Sequence, residues 1–181
     1  MTSVGDYSNG EWLIQNVKSI KPVYLSLGSN LGDRVANLRK ALQMLSGAKV
    51  EIRRVSCFYR TEPVDFGPQT WFVNCVAEAG TDLMPLQLLR ACQSVERALG
   101  RRPGIRKGPR PVDIDILLYQ SSVVRSAALV IPHPRMESRR FVLIPLREIA
   151  PHLRHPVSQQ TIPQMLSALG DTGQVIRLRT E

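Results

Sequence analysis

The stretch that most constrains this chain is Pro111-Val112-Asp113-Ile114-Asp115-Ile116-Leu117-Leu118. β-Branched and aliphatic residues crowd it, and Pro111 suits only the first residue of a strand. Side chains alternate faces along a strand, so Val112, Ile114 and Ile116 point one way and Asp113 and Asp115 the other. Two like charges that close, beside an apolar run, repel each other unless a cation lies between them. A pair of oxygen ligands suits Mg²⁺, which takes one or two carboxylates together with substrate phosphates. The approach to this strand, Arg97 to Arg110, holds six Lys/Arg and no acid. Phosphates need both metal and Arg/Lys clamps, so the stretch reads as a metal–polyphosphate site. The competing reading is a pair of solvated carboxylates on an open sheet face.

A net charge of +9 calls for an anionic partner: nucleic acid, an acidic membrane face or a polyphosphate. With 6% aromatics there is little material for a base-stacking platform, which weighs against single-stranded nucleic acid. At 181 residues the chain is expected to form one domain with a sizeable core. Cys57, Cys75 and Cys92 are odd in number and lack metal-ligand spacing, so they read as free thiols in a reducing compartment. No apolar run approaches the ~20 residues of a membrane span. The first residues lack the basic start and apolar block of a signal peptide, and the expected location is the cytoplasm.

Residues 1–21 are polar and mixed, and a mobile N-terminal arm is expected there, ahead of a single domain over 22–181. Val23 to Leu27 is a short strand ending at Gly28. Asp33 is a good N-cap for a helix in which Val35, Leu38, Leu42 and Leu45 recur at helical spacing. The turn between them lacks the Gly-Lys-Ser/Thr ending of a phosphate loop, so a capped strand-to-helix turn is the simpler reading. Val50 to Tyr59 reads as a second strand whose apolar parity slips near Arg53-Arg54, the mark of a bulge. Trp71 to Ala79 is a third, with Trp71, Val73, Cys75 and Ala77 on its core face. Pro85 to Leu99 is an amphipathic helix with Leu88, Cys92, Val95 and Leu99 as its stripe. Arg101 to Lys107 breaks at Pro103-Gly104 and is a lid candidate over a phosphate site. Beyond Tyr119, Gln120-Ser121-Ser122 is expected to turn the strand into a hairpin partner at Val123-Val124. A brief strand at Leu129 to Ile131, helices over 138–149 and 161–169 and a final strand over 175–179 complete the reading. His152 and His155 are expected at the surface. The order strand, helix, strand, strand, helix, strand indicates an α+β, ferredoxin-like fold: a mainly antiparallel sheet with helices packed on its faces.

Arg106 to Leu118 (Arg-Lys-Gly-Pro-Arg-Pro-Val-Asp-Ile-Asp-Ile-Leu-Leu) resembles the signature of the 6-hydroxymethyl-7,8-dihydropterin pyrophosphokinase family of the folate pathway. The resemblance continues through Leu27-Gly28-Ser29-Asn30-Leu31-Gly32-Asp33, Tyr59-Arg60-Thr61-Glu62-Pro63-Val64, Phe72-Val73-Asn74 and Gly100-Arg101. It closes with Pro132-His133-Pro134-Arg135-Met136, Arg139-Arg140-Phe141-Val142-Leu143 and Pro145-Leu146-Arg147-Glu148-Ile149-Ala150-Pro151. Motifs in this order are far more specific than any one alone.

The resemblance implies Mg²⁺-dependent transfer of pyrophosphate from ATP to 6-hydroxymethyl-7,8-dihydropterin, with AMP released. It implies two Mg²⁺ on Asp113 and Asp115, and catalytic arginines at Arg101 and Arg110. Nucleotide contacts would come from Gln93, Glu96, Arg101, Arg110, Ile116, His133 and Arg139. Pterin contacts would come from Thr61, Pro63, Val64, Phe72, Asn74 and Phe141. From the residues alone, Asn74 is an ordinary hydrogen-bonded strand Asn or a reader of an amide-like ring edge, and the two Phe are core residues. The basic loop is one residue shorter than in some members; Lys107 stands where an aromatic is usual, and Pro134 replaces a larger residue. Expected partners are ATP and the pterin, with no nucleic acid, no membrane and no second subunit. The rivals are a basic ferredoxin-like nucleic-acid module and another metal-dependent nucleotide transferase.

Overall fold

The computed structural model describes residues 19–63, 70–101, 110–170 and 173–179. Its elements begin with β1 (Lys21–Ser29), α1 (Arg34–Gly47), β2 (Val50–Val55), β3 (Tyr59–Thr61), β4 (Phe72–Thr81) and α2 (Pro85–Ala98). They continue with β5 (Asp113–Tyr119), β6 (Val124–Arg125), β7 (Val130–Ile131), α3 (Arg140–Ile149), α4 (Ile162–Ala168) and β8 (Val175–Arg177). The chain is a mixed α/β structure around an antiparallel sheet.

β4 is the spine, apolar on both faces and buried along nearly its whole length. β1 pairs with it antiparallel, and β5 pairs antiparallel with the far edge of β1. The other edge of β4 is shared by β2 and β3, and β8 pairs with β3. The main sheet therefore runs β5-β1-β4-β3-β8, with β2 beside β3 on β4.

Local chemistry fixes the helices. Gly32 has φ +61°, a left-handed turn that glycine adopts without strain, and it aims the chain into α1. The Asp33 carboxylate then accepts the Ala36 N–H at 3.0 Å. In α2, Pro85 occupies the first turn and the Gln87 side chain accepts the Met84 N–H at 2.9 Å. The stripes of both helices, Leu38, Ala41 and Leu45 with Leu88, Cys92 and Val95, pack on Val23, Leu25, Leu27, Cys75, Ala77, Ile114 and Ile116. A second core lies on the opposite sheet face, where Val76, Leu117 and Leu118 meet Met136, Val142, Leu143 and Leu146, and Ile162 and Met165 of α4.

Both cores depend on an irregularity in β5. Ile116 lies opposite Leu25 and Leu118 opposite Tyr24, so Leu117 is an extra residue in the ladder. It lets Leu117 and Leu118 both serve the α3–α4 side while Tyr119 returns to the first core. The acids keep the alternation read from the sequence: Val112, Ile114 and Ile116 are buried, and Asp113 and Asp115 are partly open.

Several expectations change. The second strand does not run through to Tyr59: it stops at Val55, and Ser56, whose hydroxyl accepts the Val76 N–H at 3.0 Å, spans the break before β3. The slip near Arg53-Arg54 is real, since the register shifts between Ile52 and Arg54. β6 does not return along β5; it pairs with β7 in a separate two-stranded sheet, and β5 ends the main sheet beside β1. The third helix starts at Arg140, two residues later than read. His155 is buried at 6% exposure, whereas His152 is exposed as expected.

α3 is tied to the sheet by Glu148, whose carboxylate accepts the Cys57 N–H at 3.0 Å and the Tyr59 hydroxyl at 2.8 Å. Burial, then the bond to Glu148, pushes the Tyr59 phenol up to about 12. For Glu148 burial works upward, but the hydrogen bonds from Cys57 and Tyr59 and the nearby Arg177 outweigh it and hold the carboxyl below its ordinary value. A depressed carboxyl stabilises the fold above its unfolded-state pKa of about 4.3, and the contribution disappears as pH falls through the folded-state value. Glu148→Gln is expected to lower the urea midpoint at neutral pH and to shrink the loss of stability between about pH 6 and pH 3. Unchanged acid sensitivity in urea titrations would show that Glu148 carries none of it.

Candidate active site

α3 and α4 cover only part of their sheet face, and the uncovered part is where the acids of β5 emerge. Asp113 lies opposite Gly28 of β1, Gly28 opposite Asn74 of β4, and Asn74 opposite Tyr59 of β3. This row crosses four strands on one face. Beside it, Thr61 lies opposite Phe72. The Asn74 amide donates to the Thr61 hydroxyl at 2.7 Å, and both residues are buried. Gly28 makes this possible, because a Cβ there would sit 2.5 Å from Asn74 Oδ1.

Cations from separate parts of the chain converge on the two acids. Arg101 and Arg110 each place Nη1 2.9 Å from Asp113 Oδ1. These arginines flank residues 102–109, which lie outside the described residues together with Lys107 and the expected lid. Arg110 is also held through its backbone: Asn30 Oδ1 accepts its N–H at 2.8 Å, and the Asn30 N–H donates to its carbonyl at 3.3 Å. Arg101 further pairs with Glu96, a carboxylate only 4% exposed that also accepts the Ile114 N–H at 2.8 Å. Burial pushes the Glu96 carboxyl up, against the pull of Ile114 and Arg101.

Asp115 Oδ2 lies 3.4 Å from Arg139 Nη1 and 3.7 Å from His133 Nε2. His133 is anchored by its N–H to the carbonyl of Leu117 at 2.9 Å. Its Nδ1 accepts the Arg135 N–H at 3.1 Å, so Nε2 carries the proton that faces Asp115. Burial pulls the imidazole pKa down; Asp115 works upward, and Arg139 and Arg135 add to the fall. The Arg139 guanidinium also lies 5.4 Å from the centre of the Phe141 ring.

The structure thus brings Glu96, Arg101, Arg110 and Asp113 into one cluster, and Asp115, His133, Arg139 and Phe141 into its neighbour. Thr61, Phe72 and Asn74 stand across Gly28 from Asp113. Pro63, two residues after Thr61, is half-buried; Val64 lies outside the described residues. Gln93 and Glu96, three residues apart on α2 and both implied as nucleotide contacts, are separated: Glu96 turns inward and Gln93 is exposed. The Ile116 side chain is buried in the first core, on the face away from the acids, which leaves its backbone as the group able to face a ligand. The sequence reading missed the hold of Asn30 on Arg110 and the clearance at Gly28. Both residues sit in the stretch read as a capped strand-to-helix turn, and Asn30 alone, buried at 3%, has a side chain that could have drawn notice.

Two adjacent carboxylates ringed by arginines, beside a buried amide and two aromatic rings, form the kind of site used by enzymes that move phosphoryl groups. Sequence comparison gives that class a family. A model described as 7,8-dihydro-6-hydroxymethylpterin-pyrophosphokinase (HPPK) matches residues 24–151. The 2-amino-4-hydroxy-6-hydroxymethyldihydropteridine pyrophosphokinase of Aquifex aeolicus is 41% identical over 142 residues, 78% of this chain and 88% of that protein. The enzyme of that name from Bacillus subtilis is 45% identical over 127 residues, 70% of this chain and 76% of that protein. The folic acid synthesis protein fol1 of Schizosaccharomyces pombe is 42% identical over 84% of this chain, but the chain spans only 21% of its length. The crystal structure of Plasmodium falciparum HPPK-DHPS with pteroate superposes with a TM-score of 0.66 at 14% identity, covering 82% of this chain and 44% of that one, which speaks to the fold. The chain belongs to the 7,8-dihydro-6-hydroxymethylpterin-pyrophosphokinase family, and it is a transferase, a pyrophosphokinase of folate biosynthesis.

The clearance at Gly28 is directly testable. Gly28→Ala is expected to force Asn74 off Thr61 and to cost about 1–3 kcal/mol of stability by urea denaturation. Stability equal to the parent would show that Asn74 moves aside freely.

Proposed function

We propose that the chain transfers pyrophosphate from ATP to the hydroxymethyl oxygen of 6-hydroxymethyl-7,8-dihydropterin, using two Mg²⁺ held by Asp113 and Asp115. The convergence of Arg101, Arg110, His133 and Arg139 on these two carboxylates carries the reading. Among the described residues no group of three or more His, Cys, Asp or Glu side chains could hold a metal unaided. That fits a hard cation which completes its shell with phosphate oxygens and water. The donor set is oxygen only, as Mg²⁺ requires. When bound, the ions would neutralise phosphate charge along the tail of ATP.

The chain's own residues do the rest. Asn74, held by Thr61, presents its remaining amide valences to the pterin edge, and Phe72 and Phe141 flank the ring with Thr61, Pro63 and Val64 around it. Gln93, Glu96 and the backbone of Ile116 serve the nucleotide. Arg101, Arg110, His133 and Arg139 leave their carboxylate partners for phosphate oxygens. The alcohol oxygen bonds to the β-phosphorus, the bond from that phosphorus to the oxygen bridging the α-phosphate breaks, and AMP leaves with that electron pair. The hydroxyl proton passes to water. No side chain acts as a strong base, because positioning and charge stabilisation carry most phosphoryl transfer.

The strand order β5-β1-β4 with β2 beside β4, all antiparallel, supports reading the sheet as ferredoxin-like. The nucleic-acid reading asks for aromatics on an exposed sheet face. Here one face is covered by α1 and α2, and the open part of the other carries two acids that would repel a phosphate backbone. We read the working unit as a monomer. A cytoplasmic location fits the three unpaired thiols of Cys57, Cys75 and Cys92; no helix among the described residues is long and apolar enough to cross a membrane.

Incubation with ATP, Mg²⁺ and the pterin is expected to yield AMP; ADP as the product would refute pyrophosphate transfer. Asp115→Asn should keep the fold by circular dichroism and lose turnover by at least ~10³-fold, about 4 kcal/mol of transition-state stabilisation. Near-normal turnover in that variant would sink the metal assignment.

A further inference from the structure

The segment from Pro132 to Arg139 presents His133 and Arg139 to Asp115, but its middle is fixed from behind. Met136 is fully buried in the second core, and its N–H donates to the His133 carbonyl at 3.0 Å. The next side chain, Glu137, is engaged by the loop between α3 and α4. Its Oε1 accepts the Ser158 hydroxyl at 2.6 Å and lies 3.5 Å from His155 Nδ1.

His155 is the buried node of this contact. Its Nδ1 accepts the Ser158 N–H at 3.1 Å, so the ring proton sits on Nε2 and the Ser158 hydroxyl is the link to Glu137. The loop is itself closed: Arg154 bridges Thr161, the His155 N–H donates to the Gln160 carbonyl, and the His155 carbonyl accepts the Gln159 N–H, both at 2.9 Å.

We propose that His155, Ser158 and Glu137 form a brace that sets the position of His133 and Arg139 against the phosphate tail of the nucleotide. They are positioning residues, and the inference rests on reading His133 and Arg139 as phosphate-side groups. Glu137 is two residues from Arg139 and four from His133, so a shift at Glu137 is passed to both. The brace has a second effect. Glu137 is flanked in sequence by Arg135, Arg139 and Arg140, so a loose carboxylate there would compete with phosphate for the guanidinium groups. The Ser158 hydroxyl holds it against the α3–α4 loop instead.

The test is equilibrium binding of a non-hydrolysable ATP analogue with Mg²⁺, with KM for each substrate and an unfolding midpoint. It compares the parent with Glu137→Ala, Glu137→Gln, His155→Leu, His155→Asn and Arg139→Ala. Glu137→Ala and His155→Leu should weaken nucleotide roughly three- to tenfold, where tenfold is ~1.4 kcal/mol, and leave the pterin KM within about twofold. Glu137→Gln and His155→Asn should recover most of the loss, because each returns an acceptor near the position of Oε1 or Nδ1. If Arg139→Ala weakens nucleotide while Glu137→Ala binds like the parent, the brace is refuted and the phosphate-side reading stands. If Arg139→Ala has no effect, both fall. Equal losses on both substrates, or no recovery in the conservative pair, also overturn the proposal, since they mark general loosening. Should His155→Leu fail to fold, the Glu137 pair decides alone, as that side chain is 45% exposed.

Discussion

Two carboxylates two residues apart on one face of a strand repel each other unless positive groups stand beside them. At the ~6.6 Å of two strand steps and an effective dielectric near 20, like charges cost about 2.5 kcal/mol, a sizeable part of a domain's net stability. The structure answers with arginines drawn from the end of α2, the lead-in to β5 and the start of α3, and with the His133 ring from the turn after β7. Segments far apart in sequence are thereby obliged to meet at the open end of one sheet face. The same demand explains the buried Glu96, which takes Arg101 in common with Asp113 and pins the beginning of β5 through Ile114 N–H.

The floor of the site is flat at Gly28. Gly28 stands between Asp113 and Asn74 in the middle strand of that row, and its missing side chain is what lets the Asn74 amide lie across β1. With α3 and α4 sealing the other half of the face, the uncovered part is bounded by a charged side on β5 and a neutral, partly aromatic side on β3 and β4. A ligand with one anionic end and one flat polar end matches that division.

Much of this was legible in the residues. The alternation around Asp113 and Asp115 gave their common face, the Asp33 cap placed α1, and the parity slip located the bulge in β2, because each rests on neighbours in sequence. What escaped notice depends on distant partners. Nothing near Val55 announces that Ser56 will bond to Val76 and divide the strand. Gln93 and Glu96 look equivalent until β5 arrives to bury one of them. His155 reads as a surface residue because its partner, Glu137, lies in another segment. Gly28 and Asn30 look like ordinary turn residues until Asn74 and Arg110 are placed beside them.

The extra residue at Leu117 has a wider consequence. A regular ladder would bind the two ends of β5 to a single alternation, so that any slip at the greasy end would turn the acids inward. By absorbing one residue locally, the strand behaves as two independently phased pieces. The half beneath α3 is free to repack without rotating the half that carries the acids.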